Sequence, residues 1–281
     1  MSFQPWAFVI VLPTLPGVLL LDWMFKRQQR ARRHPFEDFP VLRPPGESCR
    51  TKADEILEGA GGEIALFAAA PIVTALTAYY ASASITCCEI LTAGIAALTL
   101  FLILRLKSRA HQISNYWLGF EGERMVGQLL SGGLSKGWRV FHDVPFSGFN
   151  IDHVVVAPTG VFVIETKTRR KPRRTDGYEV IYDGMKLISR DWTNDEAISQ
   201  ALRNAKTLSG WLTKSVGEPV WVEPIVTLPG WYVKREGKGR VSVLNPKEII
   251  GLIDAWNGTN RLSPELIQRI AHQIGQIDVI K

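Results

Sequence analysis

The residues best suited to chemistry are Asp152, Glu165 and Lys167. The E-x-K spacing places Glu165 and Lys167 on one face of a strand. On these two residues alone, a solvated ion pair at the end of a hairpin is the simpler interpretation. If Asp152 lies beside them, the two carboxylates repel each other unless a cation separates them, and Mg²⁺ or Mn²⁺ suits such oxygen ligands. Lys167 could then orient or activate a water, or neutralise charge that develops on a phosphate.

A β-hairpin is the element that must bring the two acids together. Two runs of β-branched residues flank Ala157–Gly160 (APTG), a sequence typical of turns. If Val156 pairs with Val161 across this turn, Asp152 lies opposite Glu165, with their Cβ atoms about 5 Å apart. A slip of one residue in the register would separate the acids. The hairpin therefore predicts a metal site that depends on its register.

Helices and further strands are expected around the hairpin. Residues 113–131 have the apolar periodicity of a helix, which Gly132 and Gly133 would end, and residues 138–146 predict a strand. The segment SQALRNAKTL predicts a second helix. Further strands are predicted at 221–228 and 241–244, and further helices at 246–256 and 263–274. The fold class that follows is α/β, a mixed sheet flanked by helices.

The N-terminal part of the chain has a different composition. Its apolar segments, at residues 3–21, 64–83 and 87–106, carry almost no charge. Each is close to the ~20 residues that a helix needs to cross a bilayer. A signal peptide is the alternative for the first segment, but its positive charges follow the apolar run instead of preceding it. Pro13 and Pro16 leave open a kinked or re-entrant helix there.

The distribution of Lys and Arg predicts the orientation of these segments. KRQQRARR, at residues 26–33, follows the first segment and three cations close the third at residues 105–109, whereas the turn at residues 82–84 has none. The positive-inside rule then places the N-terminus outside and the loop after it in the cytoplasm. The predicted organisation is a first transmembrane segment at 1–25, a basic cytoplasmic loop at 26–62, a transmembrane helical hairpin at 63–107 and a cytoplasmic domain at 112–281.

The net charge, the cysteine content and the apolar segments bear on three possibilities: an anionic partner, a structural zinc site and a transporter. The net charge of +6 is consistent with a phosphate-bearing partner or anionic lipid, and equally with a positive-inside bias. The 3 cysteines form no CxxC pair and His is scarce, which argues against a structural zinc site. The apolar segments show no internal repeat and contain one peripheral acid, Glu89, so an anchor is a simpler interpretation than a transporter.

The residues FEGERMVGQLL, FHDVPF and IDHVVVAPTGVFVIETK together resemble the NERD (nuclease-related domain) family. That family belongs to the restriction-endonuclease-like PD-(D/E)XK superfamily, whose signature is an acid, a spacer and E-x-K on paired strands. The resemblance is densest over residues 119–167 and extends less closely to about 215, so the core is expected at about 119–215. It implies a restriction-endonuclease-like fold and a Mg²⁺- or Mn²⁺-dependent phosphodiesterase acting on DNA, with the metal held by Asp152 and Glu165.

The resemblance adds Glu123 and Gln200 to the catalytic set. The superfamily often has an acid on its first helix, and Glu123 lies at the edge of that helix's apolar face; the alternative is a surface acid. NERD domains commonly place a Gln at the position of Gln200, and Trp192 also fits their pattern. The Pro that usually precedes this Gln is missing from NDEAIS. His153 points away from Asp152 and is expected to be a packed or capping residue.

A basic loop, TRRKPRRTDG, directly follows the E-x-K motif where the family usually has a short Gly-containing link. Its cations could hold a nucleic-acid backbone beside the metal, remain solvated, or contact anionic lipid. The predicted nucleic-acid-binding residues are Arg169, Arg170, Lys171, Arg173 and Arg174.

The sequence and the resemblance together predict a membrane-anchored, metal-dependent nuclease that hydrolyses DNA in the cytoplasm. The expected partners are nucleic acid, with DNA preferred on the resemblance, and the lipid bilayer of the cell membrane. The alternative is a non-catalytic module that binds nucleic acid or protein at the membrane. The intact acids and Lys167 favour the nuclease over a non-catalytic nucleic-acid-binding module, because a module without catalysis would be free to lose them, whereas a protein-binding module stays open.

Overall fold

The computed structural model describes residues 42–69, 85–172, 178–258 and 261–277 of the chain. The described residues fall into two compact units, the first formed by residues 54–69 and 85–113 and the second by the rest. Several predicted features lie outside the described residues. They are the first transmembrane segment, the run KRQQRARR, most of the second apolar segment with the turn after it, and Arg173 and Arg174.

The first unit is helical. Its helices are the end of α1 (Glu47–Gly59), a helical stretch at residues 61–69, and the first part of α2 (Ile85–Leu130), which belongs to the second unit from Ser114 onward. Glu63 forms ion pairs with Arg105 at 2.8 Å and Arg109 at 2.9 Å. Within the parts of the chain that the structure describes, no helix is both long enough and apolar enough to cross a membrane.

The third apolar segment and the helix predicted at 113–131 are one continuous helix, α2, of 46 residues. The α-helix ends at Leu130, and Ser131–Lys136 continue as a 3₁₀ turn, as the two glycines predicted. Several large apolar side chains of α2 in the first unit are exposed to solvent. They are Ile90, Leu98, Leu100, Phe101, Ile103 and Leu104.

The second unit contains two sheets and the remaining helices. Its strands are β1 (Arg139–Phe146), β2 (Phe149–Ala157), β3 (Gly160–Thr166), β4 (Glu179–Tyr182), β5 (Leu187–Ile188), β6 (Thr193–Asn194), β7 (Val222–Thr227), β8 (Tyr232–Arg235) and β9 (Ser242–Leu244). Its helices after α2 are α3 (Glu196–Val216), α4 (Ile249–Asp254) and α5 (Pro264–Ile277). The larger sheet has the order β1-β2-β3-β7-β9 and the smaller one the order β6-β5-β4-β8.

The predicted register of the hairpin is confirmed. β2 and β3 pair antiparallel with Val156 opposite Val161 and Ala157 opposite Gly160, across a two-residue turn. β3 then pairs in parallel with β7, and β7 in parallel with β9. The strands are near-continuous apolar runs because both faces of the sheet are covered. The predicted mixed α/β fold with flanking helices is confirmed, whereas the smaller sheet was not predicted.

The two faces of the hairpin pack against different helices. Val154 and Val163 lie in a core with Leu208 and Leu212 of α3, together with residues of α5. On the other face, Phe162 lies in a core with residues of α2 and α4, among them Val126, Leu130 and Ile249. The two faces are called the α3 face and the α2 face below. Because helices cover both faces of the hairpin, most of its paired residues are apolar. The polar side chains meet at the end of the hairpin, beyond its last pairs.

Candidate active site at the end of the hairpin

Asp152 lies beside Glu165 at this end of the hairpin. The last paired residues are His153, which directly follows Asp152, and Ile164, which directly precedes Glu165. In the chain, Asp152 lies between Ile151 and Val154, which both belong to the core of the α3 face. Its Oδ2 accepts a hydrogen bond from the backbone N–H of Thr166 at 2.7 Å. This bond holds the carboxylate of Asp152 next to the end of β3.

Glu165 is buried, with 2% of its side chain exposed, and both of its oxygens have partners. Lys167 Nζ lies 2.7 Å from Oε1, and Asn204 Nδ2 donates a hydrogen bond to Oε2 at 3.2 Å. Lys167 Nζ also donates to Gln200 Oε1 at 3.0 Å. Gln200 and Asn204 are four residues apart on α3 and therefore share one side of that helix. The structure thus brings together the predicted residues Glu165, Lys167 and Gln200.

Asn204 was not predicted from the sequence. It is buried among the apolar residues of α3 that pack against the sheet, between Ala201 and Leu208. A buried amide on an otherwise apolar helix face needs hydrogen-bond partners. That mismatch is the signal in the sequence that could have identified it.

Burial raises the pKa of Asp152 and Glu165, and neighbouring carboxylates raise that of Lys167. Burial raises the pKa of Asp152 well above its usual range, and the charges of Glu165 and Glu123 add to this effect. Burial also raises the pKa of Glu165, although the ammonium of Lys167 opposes it. For Lys167 burial lowers the pKa, but the neighbouring carboxylates, Glu165 first, outweigh burial and raise it. Lys167 is therefore a cation at neutral pH, within a group of acids that one positive charge does not fully compensate.

Glu123, the acid expected on the first helix, is buried on α2. Its Oε1 accepts a hydrogen bond from Cys49 Sγ at 3.2 Å, whereas its Oε2 is buried without a hydrogen-bond partner among the described residues. Burial first, and then the charges of Asp143 and Glu165, raise the pKa of Glu123 to about 7, against the opposing effects of Cys49 and Lys167. Glu123 is therefore not a surface acid, and its charge interacts with that of Glu165.

A segment ahead of α2 completes the surroundings of Glu123. Asp143 accepts hydrogen bonds from the backbone N–H of Ser48 at 3.0 Å and from Asn150 Nδ2 at 3.1 Å, and Arg43 lies 3.4 Å from it. These contacts join the start of α1, and with it Cys49, to β1 and β2 within the second unit. The domain expected from the sequence began at residue 112 and did not include this segment.

His153, which is buried, and His142, which is partly buried, form a pair on the α2 face. Their Nδ1 atoms are 2.8 Å apart, so one ring donates and the other accepts. Burial lowers the pKa of both, to about 4 for His142, so both rings are neutral at pH 7. The structure places His153 as a packed residue, away from the carboxylate of Asp152.

The basic loop begins on a set of aromatic rings. The guanidinium of Arg169 lies 4.6 Å from the ring centroid of Trp192, and Trp231 Nε1 donates a hydrogen bond to the carbonyl of Arg169 at 3.2 Å. Lys171 Nζ lies 5.3 Å from the ring centroid of Tyr178. Arg170 is directed elsewhere and donates to the carbonyl of Ser114 at 3.2 Å. The described cations of the loop therefore do not form one continuous surface.

Residues 118–229 match the NERD family, the nuclease-related domain. This match runs from the second-unit part of α2 to just beyond β7, so it contains the hairpin and α3. It indicates a nuclease-related function. An uncharacterized protein from Bacillus anthracis is 43% identical to the chain over 56 residues, which are 18% of this chain and 26% of that protein. The chain thus aligns with about a quarter of this relative's length, and no solved structure matches it.

The donors of the NERD domain fit a hard divalent cation. Carboxylate oxygens are the ligands that Mg²⁺ and Mn²⁺ prefer, and Mg²⁺ takes only one or two from the protein, with waters and substrate phosphate completing its shell. The raised pKa of Asp152 and the unpartnered Oε2 of Glu123 indicate acids that a cation would stabilise. No group of three or more His, Cys, Asp and Glu side chains among the described residues is arranged to hold a metal. Asp152 and Glu165 are the pair of ligands predicted from the sequence.

Proposed function

We propose that this chain is a membrane-anchored, metal-dependent nuclease that hydrolyses phosphodiester bonds of DNA in the cytoplasm. The observation that carries the proposal is the position of Lys167, whose ammonium contacts both Glu165 and Gln200 while Asp152 is held beside them. The match to the nuclease-related domain supports a nuclease-related activity. The metal, the choice of DNA and the membrane anchor are parts of the proposal.

Each side chain has a defined role in this proposal. Asp152 and Glu165 would hold Mg²⁺ or Mn²⁺, which would supply Lewis-acid polarisation of the phosphate and a more acidic water. Lys167 stabilises negative charge that develops on the phosphate, because its ammonium is charged and fixed in place. Gln200 orients Lys167, and Asn204 fixes the carboxylate of Glu165 through Oε2.

Glu123 is the group best suited to exchange a proton. A general acid or base works best when its pKa lies near the working pH, and burial brings the pKa of Glu123 to about 7. In the part of the chain that the structure describes, its Oε2 has no hydrogen-bond partner and can accept a proton. Arg169, Arg170, Lys171, Arg173 and Arg174 would bind the phosphate backbone of the substrate.

A cleavage assay on the full chain tests the proposal. The purified chain is incubated with linear DNA in EDTA, in Mg²⁺ and in Mn²⁺. We expect cleavage only with a divalent ion, its loss in Lys167→Ala, and its retention in Lys214→Ala, which changes an exposed lysine of the same sheet-covering helix, α3. Cleavage in EDTA, or full activity of Lys167→Ala, would contradict the assigned site.

A second candidate is a non-catalytic module that binds nucleic acid or protein at the membrane. The observation in its favour is that Lys167 already neutralises Glu165 at 2.7 Å, so this pair is satisfied without a metal. This candidate predicts binding without cleavage under every metal condition. The same assay therefore separates the two functions.

The membrane anchor rests on the sequence and on the first unit. The apolar segments, the distribution of Lys and Arg, and the exposed apolar side chains of α2 between Ile90 and Leu104 support it. It would place the chain in the cell membrane as a multi-pass protein with its nuclease-related domain in the cytoplasm. A reporter after Lys107 should then be cytoplasmic and one inserted at Ser84 external. A cytoplasmic reporter at Ser84 would contradict this topology.

A further inference from the structure

Two cations of the basic loop lie on aromatic rings close to the candidate site. Arg169 covers Trp192 and Lys171 covers Tyr178, and both cations follow Lys167 within four residues of the chain. The ring of Tyr178 is accessible, since 52% of this residue is exposed, and Trp192 is partly exposed. These four residues are called the aromatic platform below. The platform presents flat surfaces and positive charge together, next to Lys167.

Hydrogen bonds and packing from Trp231 and β8 hold the platform in place. Trp231 is buried, donates its indole N–H to the carbonyl of Arg169, and packs edge-to-face against Trp192 with ring centroids 5.6 Å apart. The backbone N–H of Tyr232 donates to the carbonyl of Tyr178 at 2.8 Å, which ties the second ring to β8. Arg169 and the two rings are therefore positioned by the smaller sheet and its core.

The combination of cations and aromatic rings suits single-stranded nucleic acid better than a duplex. A duplex hides the faces of its bases and offers a protein its phosphates and groove edges, for which exposed lysines and arginines are sufficient. A single strand also offers unstacked base faces, which stack on aromatic rings and on guanidinium planes. The accessible ring of Tyr178 and the guanidinium of Arg169 are flat groups of this kind.

We propose that the aromatic platform binds unpaired nucleotides, and that the substrate of the candidate site is single-stranded DNA. This inference rests on the proposed function and names its substrate class. The bases stack on Tyr178 and on the guanidinium of Arg169, while Arg169 and Lys171 neutralise neighbouring phosphates. The strand then passes Lys167, which lies two residues before Arg169 in the chain.

The test measures binding in EDTA, so that no cleavage takes place. The full chain is titrated with a fluorescent 20-mer of dT and with a duplex of the same length. We expect the single strand to bind at least about 10-fold more tightly. Because one stacked base contributes about 1–3 kcal/mol, Tyr178→Ala should weaken single-strand binding by about fivefold or more and leave duplex binding unchanged.

Arg169→Lys is the more selective variant, because it keeps the charge and removes the planar guanidinium. It should also weaken single-strand binding, with an unchanged dependence on salt, since no phosphate contact is lost. Trp221→Ala is the matched control. Trp221 is 65% exposed and precedes β7 beside Val161, at the turn end of the hairpin, away from Lys167. The melting temperature of each variant verifies that it is folded.

The outcomes separate this inference from the proposed nuclease. Equal affinity for the duplex, or unchanged single-strand binding in both Tyr178→Ala and Arg169→Lys, would overturn the platform even if the chain cleaves DNA. Single-strand binding that both variants weaken, without cleavage in Mg²⁺ or Mn²⁺, would support the platform and contradict the nuclease.

Discussion

The two faces of the hairpin end differ in whether their buried polar groups have hydrogen-bond partners. On the α3 face, both oxygens of Glu165 have partners, and Lys167 contacts Glu165 and Gln200. On the α2 face, Oε2 of Glu123 and Nε2 of His153 are buried, and neither has a hydrogen-bond partner within the described residues. Each such group costs about 1–3 kcal/mol. The α3 face is therefore organised before any ligand binds, whereas the α2 face contains an acid that a ligand or a proton would stabilise.

The largest expected effect belongs to the α3 face. Lys167→Ala should lower the cleavage rate by about 100-fold or more, because it removes the charge that stabilises the phosphate. Metal affinity should persist, since a positive charge beside the cation is lost. Asp152→Ala and Glu165→Ala should instead lose both cleavage and metal binding. Cleavage kinetics and calorimetric titration with Mn²⁺ measure the two properties separately.

The same variant also reports on folding. Lys167→Ala leaves the buried carboxylate of Glu165 with Asn204 as its remaining partner, so the metal-free chain should melt at a lower temperature. The loss should be smaller than the about 3–5 kcal/mol of a fully buried pair, because 30% of the Lys167 side chain is exposed. Mn²⁺ should restore the melting temperature by replacing the ammonium as the partner of Glu165. An unchanged melting temperature would show that the ion pair does not stabilise the fold.

The next effect concerns Glu123 and depends on pH. Its pKa rises from 4.5 to about 7 on folding, so the unfolded chain releases this proton first. Below pH 4.5 Glu123 is protonated in both states and does not lower the free energy of unfolding. As the pH rises from 4.5 to about 7, the free energy of unfolding falls by about 3 kcal/mol at most. Glu123→Gln should remove this loss. We expect it to raise the melting temperature in EDTA at pH 8 and to leave it unchanged at pH 4.5.

Glu121→Gln is the matched control for this prediction, because Glu121 is exposed on the same helix. It should not change the melting temperature at either pH. If Glu123→Gln has the same effect at pH 8 and pH 4.5, the carboxyl of Glu123 is not the titrating group. Cleavage by Glu123→Gln should also lose its dependence on a group with a pKa near 7.

The smallest effect concerns Cys49. Its thiol donates to Glu123 Oε1 and thereby lowers the pKa of that carboxyl. Cys49→Ala should raise the pKa of Glu123 further, whereas Cys49→Ser keeps a donor and should leave it near 7. The midpoint of the pH dependence of the melting temperature measures the shift. Equal midpoints in the two variants would mean that the thiol does not act on Glu123.

The parts of the site that the sequence predicts are those determined by local patterns. APTG between two β-branched runs specifies a two-residue turn, and the turn sets the register that brings Asp152 to Glu165. Gln200 followed from a family resemblance and was found beside Lys167. Asn204 was missed because an apolar helix face was interpreted by periodicity alone. Trp192 was noted as part of the family pattern, but its contact with the basic loop was missed because Trp192 and Trp231 lie far from Arg169 in the sequence.

The remaining fold features were hidden for other physical reasons. Strands β5 and β6 have two residues each, too few for an alternating pattern. The contact of Ser48 with Asp143 joins residues 95 positions apart through one backbone N–H, and no local periodicity encodes such a contact. The continuity of α2 was missed because its polar stretch near Lys107 resembles a linker after an apolar segment.

Gly122 lies where α2 comes close to Thr168, next to Glu123. A Cβ at this residue would lie 1.9 Å from Thr168 Oγ1, so Gly122→Ala requires either Thr168 or α2 to shift. A shift of α2 would carry Glu123 with it and would not alter an ionisable group. A substitution at residue 122 could therefore change the distance between Glu123 and the rest of the site without changing any group that takes part in its chemistry.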